Sequence, residues 1–288
     1  MKKIKLLALS AVVAGLVISC QKNDVNEAQP DLASDLSIEE IEALTKAAVN
    51  PNGAVKEMMT DLDGNATMYV ISGDIALERK KLLNGDYAML EGENNTKQYR
   101  TFNLISGANT TIDILGYTGS CCALTTNMRT GLQWAVNNYN RLNTNLNFRL
   151  TFGSNTNGAD MIVFNQGGTG VGGRADFPSG GRPGQLIRID GGLANSNNNI
   201  NEHVITHEIG HAVGLRHTDY ARRRCGNNNE QDSAEGQAAG AINIPGTPTE
   251  NRWGAAGLDS GSIMISCYDN STQGEFSNFD VVALEFLY

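Results

Sequence analysis

Three of the four histidines in the chain lie close together, at His207, His211 and His217. On a helix, the first two lie one turn apart on the same face, so both rings can bind one metal ion at about 2.0–2.1 Å. Gly214 can adopt a backbone conformation that other residues avoid, which would end the helix and return His217 as a third ligand. Three neutral histidines leave the fourth tetrahedral position open, which is typical of a catalytic zinc site.

Two further polar residues flank these ligands. Glu208 follows the first histidine, a position that places its carboxylate beside water on the metal rather than on the metal itself. The fourth histidine, His203, lies one helical turn before His207. Its spacing would permit an additional ligand, but we expect it to lie exposed or behind the ligands instead.

The pattern HExxHxxGxxH formed by these residues resembles the extended zinc signature of the metzincin endopeptidases. The literal HEIGH, followed by His217-Thr218-Asp219, is similar to the dual-action HEIGH metallopeptidase family. A metzincin also has a methionine turn beneath its zinc site, and Ser262-Ile263-Met264 resembles one. The resemblance extends over residues 98–288 and is strongest at 200–219 and 257–268.

The resemblance implies a zinc metalloendopeptidase that hydrolyses peptide bonds in protein or peptide substrates. The three histidines would bind one catalytic Zn²⁺, Glu208 would act as general base, and Met264 would form an apolar floor beneath them. Some metzincins place a tyrosine two residues after the methionine. Here Ser266 holds that position and Tyr268 lies four residues after the methionine, so we expect Tyr268 to pack rather than to act in catalysis.

The resemblance also implies an α+β fold. The metzincin-like catalytic domain would contain a twisted mixed sheet, a backing helix, a zinc-binding active-site helix, the Met-turn and a C-terminal helix. The residues predict elements in this order, with a helix over 123–142, strands over 99–105, 146–152, 160–164 and 185–189, and a closing helix after the capping box at Ser277. The glycine-rich segment 168–173 lacks a following helix, so we predict an irregular segment beside the active site and not a dinucleotide loop. The resemblance implies that an edge strand near this segment binds an extended peptide substrate.

Residues 36–97 predict a separate N-terminal pro-region or accessory domain, ahead of the catalytic domain at 98–288. A capping box at Ser37, a strand over 67–71 and a short helix over 74–83 are expected there. No cluster of metal-ligating or nucleophilic residues is evident in this region. The polar segment 91–97 is a candidate domain boundary and cleavage site.

The first residues resemble a bacterial lipoprotein signal peptide, predicted over 1–19. Three early lysines precede an apolar run over 6–19, which is too short for a comfortable membrane span. Cys20 follows and would carry the lipid, with 20–35 as a flexible tether. We expect an exported protein anchored to a bacterial membrane, at the outer membrane or cell surface. An ordinary secretory signal with an incidental cysteine is the alternative.

Four other cysteines suggest disulfides in an exported protein. Adjacent cysteines rarely bond to each other, so Cys121 and Cys122 are expected to pair separately with Cys225 and Cys267. A cysteine thiolate can also bind zinc, which would make one of them an inhibitory ligand in a latent form. Cys121 and Cys122 lie in the segment predicted to be catalytic rather than in the N-terminal region, which disfavours that interpretation.

The net charge of −9 argues against a nucleic-acid partner, which would require a basic surface. We expect a monomer whose only contact with the membrane is through the lipid. A second hypothesis, from another functional class, is a surface lipoprotein that binds a host or matrix protein and uses zinc structurally. Glu208 disfavours it, because a structural zinc site needs no base and fills its fourth position with protein.

Overall fold

The computed structural model describes residues 35–88, 99–223, 225, 231–232, 242–269 and 271–288. These residues belong to one compact unit. The predicted signal peptide, Cys20, the tether up to residue 34 and the candidate cleavage segment 91–97 lie outside the described residues. Within the described part of the chain, no helix has both the length and the apolar character needed to cross a membrane.

The unit combines a large sheet with five described helices. The helices are α1 (Ile38–Lys46), α2 (Arg79–Asn84), α3 (Thr126–Asn140), α4 (Asn198–Ala212) and α5 (Asn278–Leu287). The sheet strands are β1 (Val55–Thr60), β2 (Ala66–Ser72), β3 (Ile75–Glu78), β4 (Thr111–Tyr117), β5 (Asn147–Gly153), β6 (Met161–Gly167), β7 (Gly173–Ala175) and β8 (Leu186–Asp190). Two short strands, β9 (Arg222–Arg223) and β10 (Gln231–Asp232), form a separate pair.

The eight strands form one mixed sheet in the order β1-β2-β3-β7-β8-β6-β4-β5. Strands β5, β4, β6 and β8 are parallel, whereas β7 runs antiparallel to β8. The antiparallel strands β1, β2 and β3 continue the sheet, because β3 pairs with β7 in parallel. The predicted α+β fold with a mixed sheet is confirmed, and the N-terminal strands are part of the same sheet.

Helices α3 and α4 pack against each other over one face of the sheet. Apolar residues just before and along α3 are buried, from Leu124 through Met128 to Tyr139. The two helices approach closely at Gly131, where a Cβ atom would lie 2.7 Å from the backbone of Asn201. This close approach fixes the position of α4, the helix that contains the HEIGH sequence.

Two local predictions are wrong. The segment predicted as a helix over 74–83 begins with strand β3 and becomes helical only at Arg79. Ser72 pairs with Ile75, which forces Gly73 and Asp74 into a two-residue hairpin loop and leaves an extended strand after it. The strand predicted over 99–105 is also not formed, since the segment makes only two isolated bridges, from Arg100 to Leu215 and to Ile242.

The predicted disulfide pairing is wrong as well. Cys225 is bonded to Cys267, with 5.2 Å between their Cα atoms, which is an ordinary separation for a disulfide. Cys121 and Cys122 are free, with their Sγ atoms 2.9 Å apart in the turn after β4. Sequence spacing could not show that the segments following His217 and Met264 are neighbours, which is what brings Cys225 and Cys267 together.

Candidate metal centre

Helix α4 presents the HEIGH residues and then ends where the sequence predicts. The Asn197 side chain accepts a hydrogen bond from Ile200 N at 2.9 Å and caps the start of the helix. At the other end, Gly214 has a φ of +104°, a conformation that favours glycine. Leu215 N donates to Gly210 O at 2.8 Å, so the chain reverses at this point. The reversal returns His217 to the face of α4.

The three histidines converge through their Nε2 atoms. His217 Nε2 lies 3.2 Å from His207 Nε2 and 3.2 Å from His211 Nε2. Ligands at 2.0–2.1 Å from a tetrahedral zinc ion lie roughly 3.3–3.4 Å apart, so the spacing suits that metal. All three rings are buried. Burial lowers the pKa of His211 to about 4, which keeps its ring neutral, as a metal ligand must be.

Backbone carbonyls orient two of these rings. His207 Nδ1 donates to Ile263 O at 2.8 Å, and His211 Nδ1 donates to Leu215 O at 2.9 Å. A carbonyl can only accept, so the ring hydrogen is on Nδ1 and the Nε2 lone pair points into the cluster. His217 differs, because Arg223 Nη2 lies 2.8 Å from its Nδ1. Metal binding at His217 Nε2 therefore requires that arginine contact to open.

Asp74 is the member of the cluster that the sequence did not predict. Its carboxylate and the three histidines form a four-residue group whose ligand atoms all lie within 4.8 Å of one another. Burial raises the pKa of the Asp74 carboxyl, but the adjacent histidine rings, His217 above all, lower it, and the net pKa is well below the usual value. The only sequence signal was Gly73-Asp74 between two β-rich segments, which is typical of a hairpin loop.

Glu208 lies beside the three histidines but is not a member of the metal-binding group. Its side chain is buried, and Oε2 has no hydrogen-bond partner among the described residues. Burial, followed by the charges of Asp74 and Asp190, raises the pKa of Glu208 well above its usual value. The carboxylate faces β7, since a Cβ at Gly173 would lie 2.7 Å from Glu208 Cγ. A buried carboxyl group with an unpaired oxygen beside the metal cluster is suited to accept and donate a proton at that cluster.

Comparison with known proteins agrees with this chemistry. A family model of the dual-action HEIGH metallo-peptidases matches residues 71–288, more than half of the chain. The chain belongs to this family. It is therefore a zinc metalloendopeptidase with Zn²⁺ as its cofactor, as the sequence predicted. The family match begins within β2 and so includes Asp74 as well as the three histidines.

Two solved structures show an overall similarity to this HEIGH peptidase. The crystal structure of myroilysin is 15% identical, covers 63% of this chain and 85% of that chain, and has a TM-score of 0.39. High choriolytic enzyme 1, a hatching enzyme zinc-protease from Oryzias latipes (Medaka fish), is 17% identical. The match covers 67% of this chain and 98% of that chain, with a TM-score of 0.40. No curated protein matches the sequence.

The methionine turn of the HEIGH peptidase lies directly under α4. Met264 is buried, and its Sδ fills the space where Gly210 lacks a side chain, which explains the glycine in HEIGH. Asp280, at the start of α5, accepts hydrogen bonds from Ser262 Oγ at 2.6 Å and Ile263 N at 2.7 Å. Burial raises the pKa of Asp280 to about 6. Asp280 thus holds the turn whose Ile263 carbonyl orients His207.

The remaining candidate residues surround the cluster. Asp219 accepts a hydrogen bond from Ser266 N at 2.9 Å and so joins the segment after His217 to the methionine turn. Tyr268 donates a hydrogen bond from its hydroxyl to Val171 O, and its ring lies against His203. His203 is buried with its Nδ1 3.2 Å from Gln273 O, and lies outside the metal cluster.

A small cavity of about 90 Å³ adjoins the cluster and is lined in part by His203, Glu208, Ile265 and Tyr268.

We predict that Asp280→Ala weakens zinc binding by about 10- to 100-fold, the usual effect of losing a group that supports a metal ligand. The variant removes the two bonds that hold Ser262 and Ile263, so His207 loses its fixed orientation. Competition with a chelator measures the affinity, at a temperature where circular dichroism shows the variant to be folded. Asp86→Ala, an exposed change, is the control and should bind zinc like the parent. Equal affinities for all three proteins would refute this role.

Proposed function

We propose that this HEIGH peptidase cleaves peptide bonds with zinc held by His207, His211 and His217, and with Glu208 as the general base. The supporting observation is the convergence of three Nε2 atoms at the spacing of tetrahedral zinc ligands, next to a buried carboxylate. Met264 supports the ligand helix from below and touches no substrate in this proposal.

When bound, zinc supplies a Lewis acid that polarises the scissile carbonyl and acidifies the attacking water. Glu208 removes a proton from that water and delivers it to the leaving amine. The Oε2 atom, which has no partner among the described residues, is available for the first transfer. Surrounding burial keeps bulk water from competing for the proton.

Strand β7 is proposed to align the peptide. Its Gly173 lies against Glu208, and an extended peptide can pair with a strand edge through main-chain hydrogen bonds. In the structure β3 and β8 flank β7, so the peptide would need to take the place of β3. Gly173 permits the close approach, because any side chain there would contact the Glu208 carboxylate. The cavity beside His203, Ile265 and Tyr268 would then receive one substrate side chain.

We also propose that the enzyme is an exported monomer, anchored to the bacterial outer membrane or cell surface by lipid on Cys20, with no nucleic-acid partner. Residues 1–20 and the net charge of −9 support these statements. Cys20→Ser should move the protein from the detergent phase to the aqueous phase when bacterial cells are extracted and phase-separated. Unchanged partitioning would argue against the lipid anchor.

One observation favours the alternative of a binding lipoprotein with structural zinc. Asp74 completes a set of four protein ligands, and structural zinc sites are closed in this way. Such a site has no use for Glu208, which is buried beside it at the cost of desolvating a carboxyl group. Variants of Glu208 therefore separate the two functions.

Glu208→Ala should retain zinc and lose about 10²- to 10⁴-fold in peptide hydrolysis, the usual contribution of a general base. Casein cleavage is measured on the zinc-loaded full-length chain before and after mild treatment with trypsin, which is inhibited before casein is added. The trypsin step is included because the Asp74 carboxylate lies at the metal site and would have to leave it before substrate can bind. Glu285→Ala is the matched control, since that glutamate is exposed on α5. Undiminished cleavage by Glu208→Ala would overturn the proposed role.

His217→Ala should lower the zinc content measured by elemental analysis after dialysis, because only His207, His211 and the Asp74 carboxylate then remain to hold the metal. His203→Ala provides a close control, as it removes a buried histidine from the same helix that is not a member of the metal-binding group. We expect His203→Ala to retain one zinc ion per chain. If both variants keep zinc equally, His217 is not a ligand.

A further inference from the structure

Two free thiols lie next to each other in the turn between β4 and α3. The Sγ atoms of Cys121 and Cys122 are 2.9 Å apart. A disulfide bond is about 2.0 Å long, so the two sulfur atoms are already close to bonding distance. Cys121 is exposed and Cys122 is partly exposed, and neither belongs to the metal-binding group. The pair is therefore accessible from solvent and has no part in the proposed peptide hydrolysis.

Main-chain hydrogen bonds hold the two thiols in this arrangement. Leu124 N donates to Tyr117 O at 2.8 Å and closes the turn, while Asn165 N of β6 donates to Cys122 O at 3.0 Å. The turn also packs closely on the end of β4, because a Cβ at Gly119 would lie 2.2 Å from the Tyr117 hydroxyl. The folded chain thus holds the two sulfur atoms together, which favours a reaction between them.

A bond between cysteines that are neighbours in sequence is strained. Consecutive Cα atoms lie about 3.8 Å apart across a trans peptide, whereas disulfides usually join Cα atoms separated by about 4.4–6.8 Å. Strained and exposed disulfides are the ones that reductants open most readily. The Cys225–Cys267 bond joins Cα atoms 5.2 Å apart, an ordinary separation. The two cysteine pairs should therefore differ in how easily they are reduced.

We infer that Cys121 and Cys122 are a redox site, which forms a reversible vicinal disulfide by exchange with an external disulfide donor while Cys225–Cys267 stays closed. The Cys121 thiolate attacks one donor sulfur, forms a mixed disulfide and releases one donor thiolate. The Cys122 thiolate then attacks the Cys121 sulfur and releases the second donor thiolate. The chain loses two electrons and two protons, and the donor disulfide is reduced to two thiols.

Exposure and acidity assign the order of these two steps. A donor reaches Cys121 first, because its side chain is the more exposed of the two. Burial, followed by the hydrogen bond with Cys121, raises the pKa of Cys122 to about 11, so this thiol keeps its proton near neutral pH. Cys122 therefore attacks second. Its proximity to the Cys121 sulfur compensates for the small fraction of thiolate.

Peptide mapping of the full-length chain tests this site without relying on activity. The folded protein is equilibrated with mixtures of glutathione and glutathione disulfide, and its remaining thiols are then blocked with iodoacetamide. Trypsin afterwards releases residues 101–129, which contain Cys121 and Cys122 and no other cysteine. Under excess glutathione disulfide we expect this peptide to carry no label and an internal bond. The bond should open at about tenfold less glutathione than Cys225–Cys267 requires.

Three variants serve as matched controls. Cys20→Ser should give the same map as the parent, which excludes exchange through the one other cysteine outside the Cys225–Cys267 bond. Cys121→Ser and Cys122→Ser should each leave a single thiol in residues 101–129 that forms no internal bond, with Cys225–Cys267 intact.

Three results would overturn the redox site. The first is a parent peptide that keeps both labels, or carries only glutathione, under excess glutathione disulfide. The second is a bond from Cys121 or Cys122 to another chain, seen as a dimer on a non-reducing gel. The third is a vicinal bond that opens only together with Cys225–Cys267, because the pair would then not be reversible on its own.

Discussion

The metal site depends on two backbone carbonyls that fix the direction of two histidine rings. Ile263 O accepts from His207, and Leu215 O accepts from His211. Each carbonyl comes from a segment that is itself held in place. Asp280 anchors the methionine turn that contains Ile263, and the left-handed turn at Gly214 positions Leu215. Without these supports the histidines would remain on α4, but their lone pairs would not converge.

The sequence predicted those parts of the site that are local in the chain. The helix, the break at Gly214 and the return of His217 all follow from residues within a short stretch, where periodicity and turn chemistry are informative. The α+β fold and the capping box at Ser277 were predictable for the same reason. The family match agrees with the zinc chemistry that this stretch implied.

Asp74 could not be predicted, because its role depends on a contact between distant parts of the chain. Residues 74–83 contain apolar side chains at helix-like spacing, and the strand pairing that overrides this preference is made with β2 and β7. The pairing of Cys225 with Cys267 could not be predicted for the same reason. It follows from the contact between Asp219 and Ser266, which brings their two segments together. In both cases tertiary contacts, not local pattern, decide which residues meet.

The pairing of β3 with β7 also determines which sheet edges face other chains. In the structure described, the outermost strands are β1 and β5, and β7 lies in the interior of the sheet. If β1, β2 and β3 were withdrawn, β7 would become an edge of only three residues, Gly173–Ala175. Very short edge strands limit uncontrolled pairing between proteins while still offering a few main-chain donors and acceptors. The brevity of β7 would thus suit a strand that is proposed to align substrate peptides, because it limits self-association at the same time.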